Sequence, residues 1–207
     1  MRRLYISFFG LTYVFLAMFL VCCEKQGVEE YPTLGFEVKE ELLGPMWVDS
    51  LCGIAFSPPT GWQPIPESII QSANEKLTGQ VPFPSDFKLK LVQIFMDSTQ
   101  NNFCSVTHLT TEKENITLTS LEKTYLTLLQ DKFPGAEIKQ GRFQVNHVKM
   151  VQYLVMTANK VIFKILVEPH NSSFCQVDYA IAQSSYSSIV KSIESSIGSI
   201  HTIRLTK

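Results

Sequence analysis

The chain has 207 residues, with 18 Lys and Arg against 19 Asp and Glu, a net charge of −1 and five cysteines. No cluster of Lys or Arg marks a nucleic-acid footprint, and the balance is not acidic enough for a cation-binding tail. The length suits one domain with a respectable core.

Met1-Arg2-Arg3 precedes an uncharged apolar run from Leu4 to Val21, which ends in Cys22-Cys23-Glu24-Lys25. The two arginines would stay on the cytoplasmic side while the run enters the membrane. Its length is slightly long for a signal core and slightly short for a spanning helix, so the cysteines decide the reading. The pattern resembles a bacterial lipoprotein signal peptide. In that family the lipidated cysteine follows a leucine, a small or β-branched residue and a small residue. Leu20-Val21-Cys22-Cys23 fits with Cys23 lipidated. Phe19-Leu20-Val21-Cys22 fits less well, because valine is bulky before the cut, and leaves Cys22 as the fallback. The resemblance implies a signal peptide over 1–22, a diacylglycerol and acyl (palmitate-type) membrane anchor, and a place in the bacterial cell envelope. Glu24 is not the aspartate associated with inner-membrane retention, which points to the outer membrane. Two alternatives stay open. One is an uncleaved signal anchor. The other is a eukaryotic secreted protein, for which Asn115-Ile116-Thr117 and Asn171-Ser172-Ser173 supply glycosylation triplets.

Cleavage before Cys23 leaves 185 residues with 16 basic against 19 acidic side chains, a net charge of −3. From Glu24 to about Pro45 acids dominate and the apolar residues keep no sustained period. This reads as a tether over 23–46, although Leu34, Phe36, Leu42 and Leu43 suit a second half docked on the domain.

The domain, 47–204, opens with the alternating strand Leu51–Phe56, stopped by Ser57-Pro58-Pro59-Thr60-Gly61-Trp62. Trp62 should fold back onto the core. Ile69, Ile70, Ala73 and Leu77 recur at helical spacing over 66–77. After a loop with Pro82 and Pro84, Phe87–Met96 and Phe103–Thr110 read as strands. Thr119-Ser120-Leu121-Glu122 has the form of a capping box; it predicts a helix with Leu121, Tyr125, Leu128 and Leu129 buried, stopped at Pro134-Gly135. Four strands follow: 136–145, 148–157, 160–168 and 173–182. Their short breaks suit antiparallel hairpins. The nearly continuous apolar run Val161–Val167 predicts a central strand covered on both faces. A last helix over 184–197 should bury Tyr186, Ile189, Val190, Ile193 and Ile197, with Gly198 as its stop.

Helices covering an antiparallel sheet make an α+β sandwich. The order, with Phe56–Trp62, Phe133-Pro134-Gly135, the meander and Ile189/Ile193/Ile197, resembles the α/β sandwich of the PsbP, Mog and DcrB-like families over most of 50–202. Members of those families serve as photosystem accessory proteins, small-GTPase binders or envelope lipoproteins. The resemblance therefore implies a binding or accessory module.

The search for chemistry assigns no catalytic, cofactor or metal residue. His108, His147, His170 and His201 stand apart with no metal-binding spacing, and Cys52, Cys104 and Cys175 fit neither zinc nor a disulfide framework. Alternation puts Cys52 and Cys175 on apolar strand faces as buried thiols, with one disulfide open. The acids Asp86, Asp97, Glu112 and Glu114 read as solvent-facing. Asp178 falls opposite Val177 and Tyr179, and is expected to face solvent. Two functional readings result. The first is a lipid-anchored module that binds an envelope protein or a small ligand. The second is an envelope hydrolase with a spatially assembled site, which would need His108 or His147 beside a nucleophile in a pocket.

Overall fold

A computed structural model describes residues 31–77, 87–99, 101–113, 116–169 and 174–203. The signal segment 1–22, with Cys22, then Cys23 and the rest of 23–30, lies outside them, as do Pro82, Pro84, Asp86, Glu114, Asn115, His170 and Asn171.

In chain order the strands are β1 (Trp47–Asp49), β2 (Ile54–Phe56), β3 (Gln63–Pro64), β4 (Phe87–Met96), β5 (Phe103–Thr111), β6 (Glu137–Val145), β7 (Val148–Met156), β8 (Lys160–Glu168), β9 (Phe174–Ala182) and β10 (His201–Thr202). The helices are α1 (Glu67–Leu77), α2 (Leu118–Lys132) and α3 (Tyr186–Gly198). Seven strands make one antiparallel sheet, ordered β3-β4-β5-β9-β8-β7-β6, and three make a second, ordered β1-β2-β10. The class is α+β, with antiparallel sheets and three helices.

The layers follow from side-chain alternation. On one face of the large sheet α2 lays Leu118, Leu121, Tyr125 and Leu129 over Val151, Tyr153, Val155, Leu166 and Phe174. On the other face Ile54 and Phe56 of the small sheet, with Ile193 and Ile197 of α3, cover Met150, Ile165, Val177 and Tyr179. Each such side chain contributes roughly 1.5–3 kcal/mol on full burial. Strand β8 is therefore apolar on both sides, as its sequence predicts. Trp62 does pack on Tyr179, with ring centroids 6.4 Å apart.

The β6–β7 hairpin turns on Asn146 and His147, both with left-handed backbone (φ 49° and 66°), the pair of angles that a two-residue turn between right-twisted strands requires. Asn146 Nδ2 donates to the carbonyls of Gly198 and Ile200 at 3.0 and 2.9 Å, tying the hairpin to the end of α3.

Several local expectations are corrected. Helix α2 starts earlier than the Thr119 box predicts. Its cap is Thr117, whose hydroxyl accepts from Ser120 N while Ser120 Oγ accepts from Thr117 N. Glu122 is thereby freed to turn under the helix, where it is 97% buried. Of the stripe expected of α1, Ile70 is buried, Ala73 is half-buried and Ile69 is exposed. A turn closed by Gly53 N donating to Asp49 O (2.9 Å) holds the expected strand 51–56 to 54–56. Strands β1, β3 and β10 were not foreseen.

Residues 31–46 lie on the domain. Gln144 N donates to Pro32 O (3.0 Å) and Leu34 N to Gln144 O (3.1 Å), so the chain covers part of the edge of β6. Phe36 packs 5.7 Å from Phe143. At the opposite side, Asn74 of α1 satisfies both Leu91 N (2.8 Å) and Leu91 O (2.9 Å), just before the register shift in β4. A side-chain amide there stands in for a missing strand.

Gly198 is what admits Phe36. A Cβ on it would lie 2.6 Å from Phe36 Cβ and 2.8 Å from Val38 Cγ2. Gly198→Ala should therefore cost about 1–3 kcal/mol through overpacking, read as a lowered urea midpoint. Helix propensity alone would favour alanine by up to about 1 kcal/mol, so a raised midpoint would place the segment elsewhere.

Candidate functional site

Between α2 and the large sheet lie two polar clusters. Lys164 of β8 and Asp178 of β9 are register partners. Lys164 Nζ donates to Asp178 Oδ2 at 2.6 Å, and Gln176 Nε2 donates to the same oxygen at 2.6 Å. Tyr125 of α2 donates its hydroxyl proton to Gln176 Oε1 at 2.9 Å. Asp178 was expected to face solvent. It does point away from Val177 and Tyr179, but α2 roofs that face and leaves its side chain only 15% exposed. Burial pushes the Tyr125 phenol well above its ordinary value, with Asp178 adding to the effect. Burial first, and then Lys164, hold the Lys132 ammonium below its usual range, against Asp178.

In the second cluster the Glu122 carboxylate accepts from Gln140 Nε2, and from Arg142 Nε at 2.8 Å. Tyr153 donates its hydroxyl proton to the Glu122 carbonyl at 2.8 Å. Both clusters anchor the helix to the sheet. A carboxylate there is covered by the helix and already holds hydrogen bonds from its neighbours.

The opposite face carries the chemistry-bearing residues that the sequence scattered. His108 stands across from Cys175 in the β5–β9 register. It is 8% exposed, whereas Cys52 and Cys175 have no exposure. Burial lowers the His108 pKa, Lys90 adds to this and Asp49 opposes it. The Cys175 thiol and burial drive the Cys52 thiol far up, away from thiolate. A neutral thiol in a closed core is not a nucleophile. His147 occupies the exposed hairpin turn, and His201 Nδ1 lies 2.9 Å from Ser199 O. Asp97 is no free acid either. It accepts from Thr99 Oγ1 (2.8 Å) and Asn102 Nδ2 (2.5 Å) at the β4–β5 turn. Glu112 pairs with Lys88 at 2.8 Å on the surface. Among the described residues no group of three or more His, Cys, Asp or Glu is placed to hold a metal ion.

One accessible feature is a groove of about 260 Å³ where residues 35–39 pass α3, lined by Gly35, Phe36, Glu37, Lys39, Lys191, Glu194 and Ser195. Lys39 N donates to Ser195 Oγ at 3.3 Å across its floor. The volume falls below the roughly 300–1,000 Å³ typical of clefts that enclose a ligand. Mixed charge with exposed Leu34 (44%) and Val38 (41%) beside it suits a surface contact. A second exposed apolar set, Met46, Val48 and Leu51, lies just before, on and just after β1, an edge strand.

The solution structure of the cyanobacterial PsbP (CyanoP) from Synechocystis sp. PCC 6803 has the same fold. The superposition reaches a TM-score of 0.53 at 14% identity, over 85% of this chain and 99% of that one. No family model matches the chain, and no curated protein matches it. The likeness is therefore one of PsbP-like fold alone.

The sequence did hold a signal for the Lys164–Asp178 pair. Each interrupts an apolar run, and each stands seven residues from the centre of the connection between β8 and β9. Nothing comparable marks Glu122 and Arg142, which meet across a helix and a sheet.

Lys164→Met should destabilise by about 3–5 kcal/mol, because it strands a buried carboxylate, whereas Lys164→Met with Asp178→Leu should recover most of that loss. Chemical denaturation checks this, and a double variant as unstable as the single one would contradict it. An unfolded histidine takes up its proton near pH 6.5, and folded His108 does so lower. Its contribution is intact above about pH 6.5 and is lost as the pH falls through 6.5 towards the folded value. His108→Gln should accordingly flatten the decline in urea midpoint between pH 7.5 and 5; parallel slopes for both proteins would refute this.

Proposed function

We propose that this chain is a bacterial lipoprotein, cut before Cys23 and held at the cell-envelope membrane by a diacylglycerol thioether and acyl chain on that residue. Its PsbP-like domain is a binding or accessory module for another envelope component, with no catalytic role. The observation that carries the anchor is the order Arg2-Arg3, apolar Leu4–Val21 and Leu20-Val21-Cys22-Cys23. A basic start orients the apolar run, and a thiol at the cut accepts the lipid. Glu24 in place of aspartate favours the outer membrane over the inner one. Support for a binding module comes from the roofed polar clusters, whose groups are occupied in holding layers together, and from the mixed-charge groove along α3.

Intact mass of protein extracted from membranes should show the loss of residues 1–22 and added acyl mass on Cys23, and Cys23→Ser should abolish both. A full-length, unacylated chain would refute the anchor. A detergent-solubilised pulldown should recover an envelope partner through the wild-type domain and lose it with Lys191→Glu together with Val38→Glu. Equal recovery by both proteins would move the contact away from the groove.

A further inference from the structure

The three cysteines of the described domain are all buried free thiols, but their neighbours differ. Cys175 begins β9, across from His108 on β5 and Val167 on β8. Cys52 reaches the same place from the turn before β2. The next residue, Gly53, presents its Cβ direction to Pro169 Cβ at 3.8 Å, just past the end of β8. Cys52 and Cys175 share one core cluster, and neither has any exposure. Cys104 instead stands opposite Tyr179, four residues along β9 from Cys175. That is roughly 13 Å of strand, well beyond the roughly 4.4–6.8 Å between Cα atoms that a disulfide tolerates. The odd cysteine thus identifies itself.

Asp49 borders the pair: its Oδ1 accepts from Leu51 N at 2.9 Å, and its carboxylate lies near enough to influence both Cys52 and His108.

We propose that Cys52 and Cys175 are joined as a structural disulfide in the exported protein, stapling the three-stranded sheet to the seven-stranded one, while Cys104 stays a thiol. This rests on the export reading above, which places the chain where a disulfide-bearing thiol oxidoreductase supplies the oxidant. One cysteine, as thiolate, attacks the oxidant's disulfide and displaces one of its sulfurs. The second cysteine, deprotonated, then attacks the mixed disulfide and releases the other. The new S–S bond forms as the oxidant's bond breaks. Two electrons pass to the oxidant, which takes up the two protons and leaves as a dithiol. Both thiols are closed off in the finished core, so exchange precedes the closing of β2 over β9. Afterwards the bond is out of reach of reductants in the native state.

The test uses the full chain purified from membranes, unfolded in guanidinium with excess iodoacetamide and no reductant. One domain cysteine, Cys104, should be alkylated, and a 52–175 linked peptide pair should appear by mass spectrometry. Reduction should then expose two more thiols. Cys104→Ala should keep the linked pair. Cys52→Ala with Cys175→Ala should lower the thermal midpoint by roughly 10 °C, since the bridge closes a loop of about 120 residues. Three thiols alkylated without reduction, or a linkage through Cys104, would overturn the pairing. The same mass spectrum reports whether residues 1–22 are gone and Cys23 is acylated. Where they are not, the export reading has failed, and the pairing is read after refolding in a glutathione redox buffer. Absence of the 52–175 bond there overturns it independently.

Discussion

Strands β8 and β9 are covered on both faces, by α2 on one side and by the small sheet with α3 on the other. No water reaches most of their side chains, so each polar group on them must find its partner inside the protein. Much of the remaining polar architecture answers that constraint. Lys164 and Gln176 both donate to Asp178 Oδ2 across the two strands, and Tyr125 joins Gln176 from the helix above. On the far face the Tyr179 hydroxyl meets Ser196 Oγ at 2.8 Å, and Ser196 donates to the Ser57 carbonyl at 2.6 Å. A strand residue, a helix residue and the loop at Pro58-Pro59 are thereby locked in register. Apolar packing holds the layers together, and these few directional bonds fix how they sit.

The long elements were legible because period-2 and period-3.6 patterns, or in β8 a nearly continuous apolar run, persist along strands β4 to β9 and along α2 and α3. The pieces that escaped are short. Trp47–Asp49, Gln63–Pro64 and His201–Thr202 have too few residues to show a period, and they exist only because a neighbouring strand offers a free edge. The β5–β9 pairing joins segments far apart in sequence, and no hairpin announces it. Asp178 illustrates the limit of alternation: it assigns a residue to a face, but says nothing about what covers that face. Thr117 illustrates a second limit. The helix is capped two residues before the Thr119 box, which lets Glu122 reach Arg142 and Gln140, a tertiary contact that overrode the local motif.

The same economy explains why the candidate site lies at the rim. A sheet roofed on both sides leaves its central strands covered, and the open groove lies among surfaces added later in the layering. Residues 31–46 are such an addition. They create the groove with α3 and carry Leu34 and Val38 outward. Since a PsbP-like sandwich is a frame that does not itself name an activity, differences in such peripheral segments are where one member of the fold would be told from another.

That clasped segment also has a mechanical meaning. Tension arriving along the chain from its N-terminal side meets the domain first at residues 32–34, which run parallel to β6 at Gln144. A pull along β6 loads both backbone bonds together in shear, whereas a pull across it opens them one after the other. Behind them Phe36 sits against Gly198 and Phe143 like a knot drawn up to a hole. Load that passes the bridge is handed to the end of α3 and the β6–β7 hairpin, and from there through Ile200 towards β10.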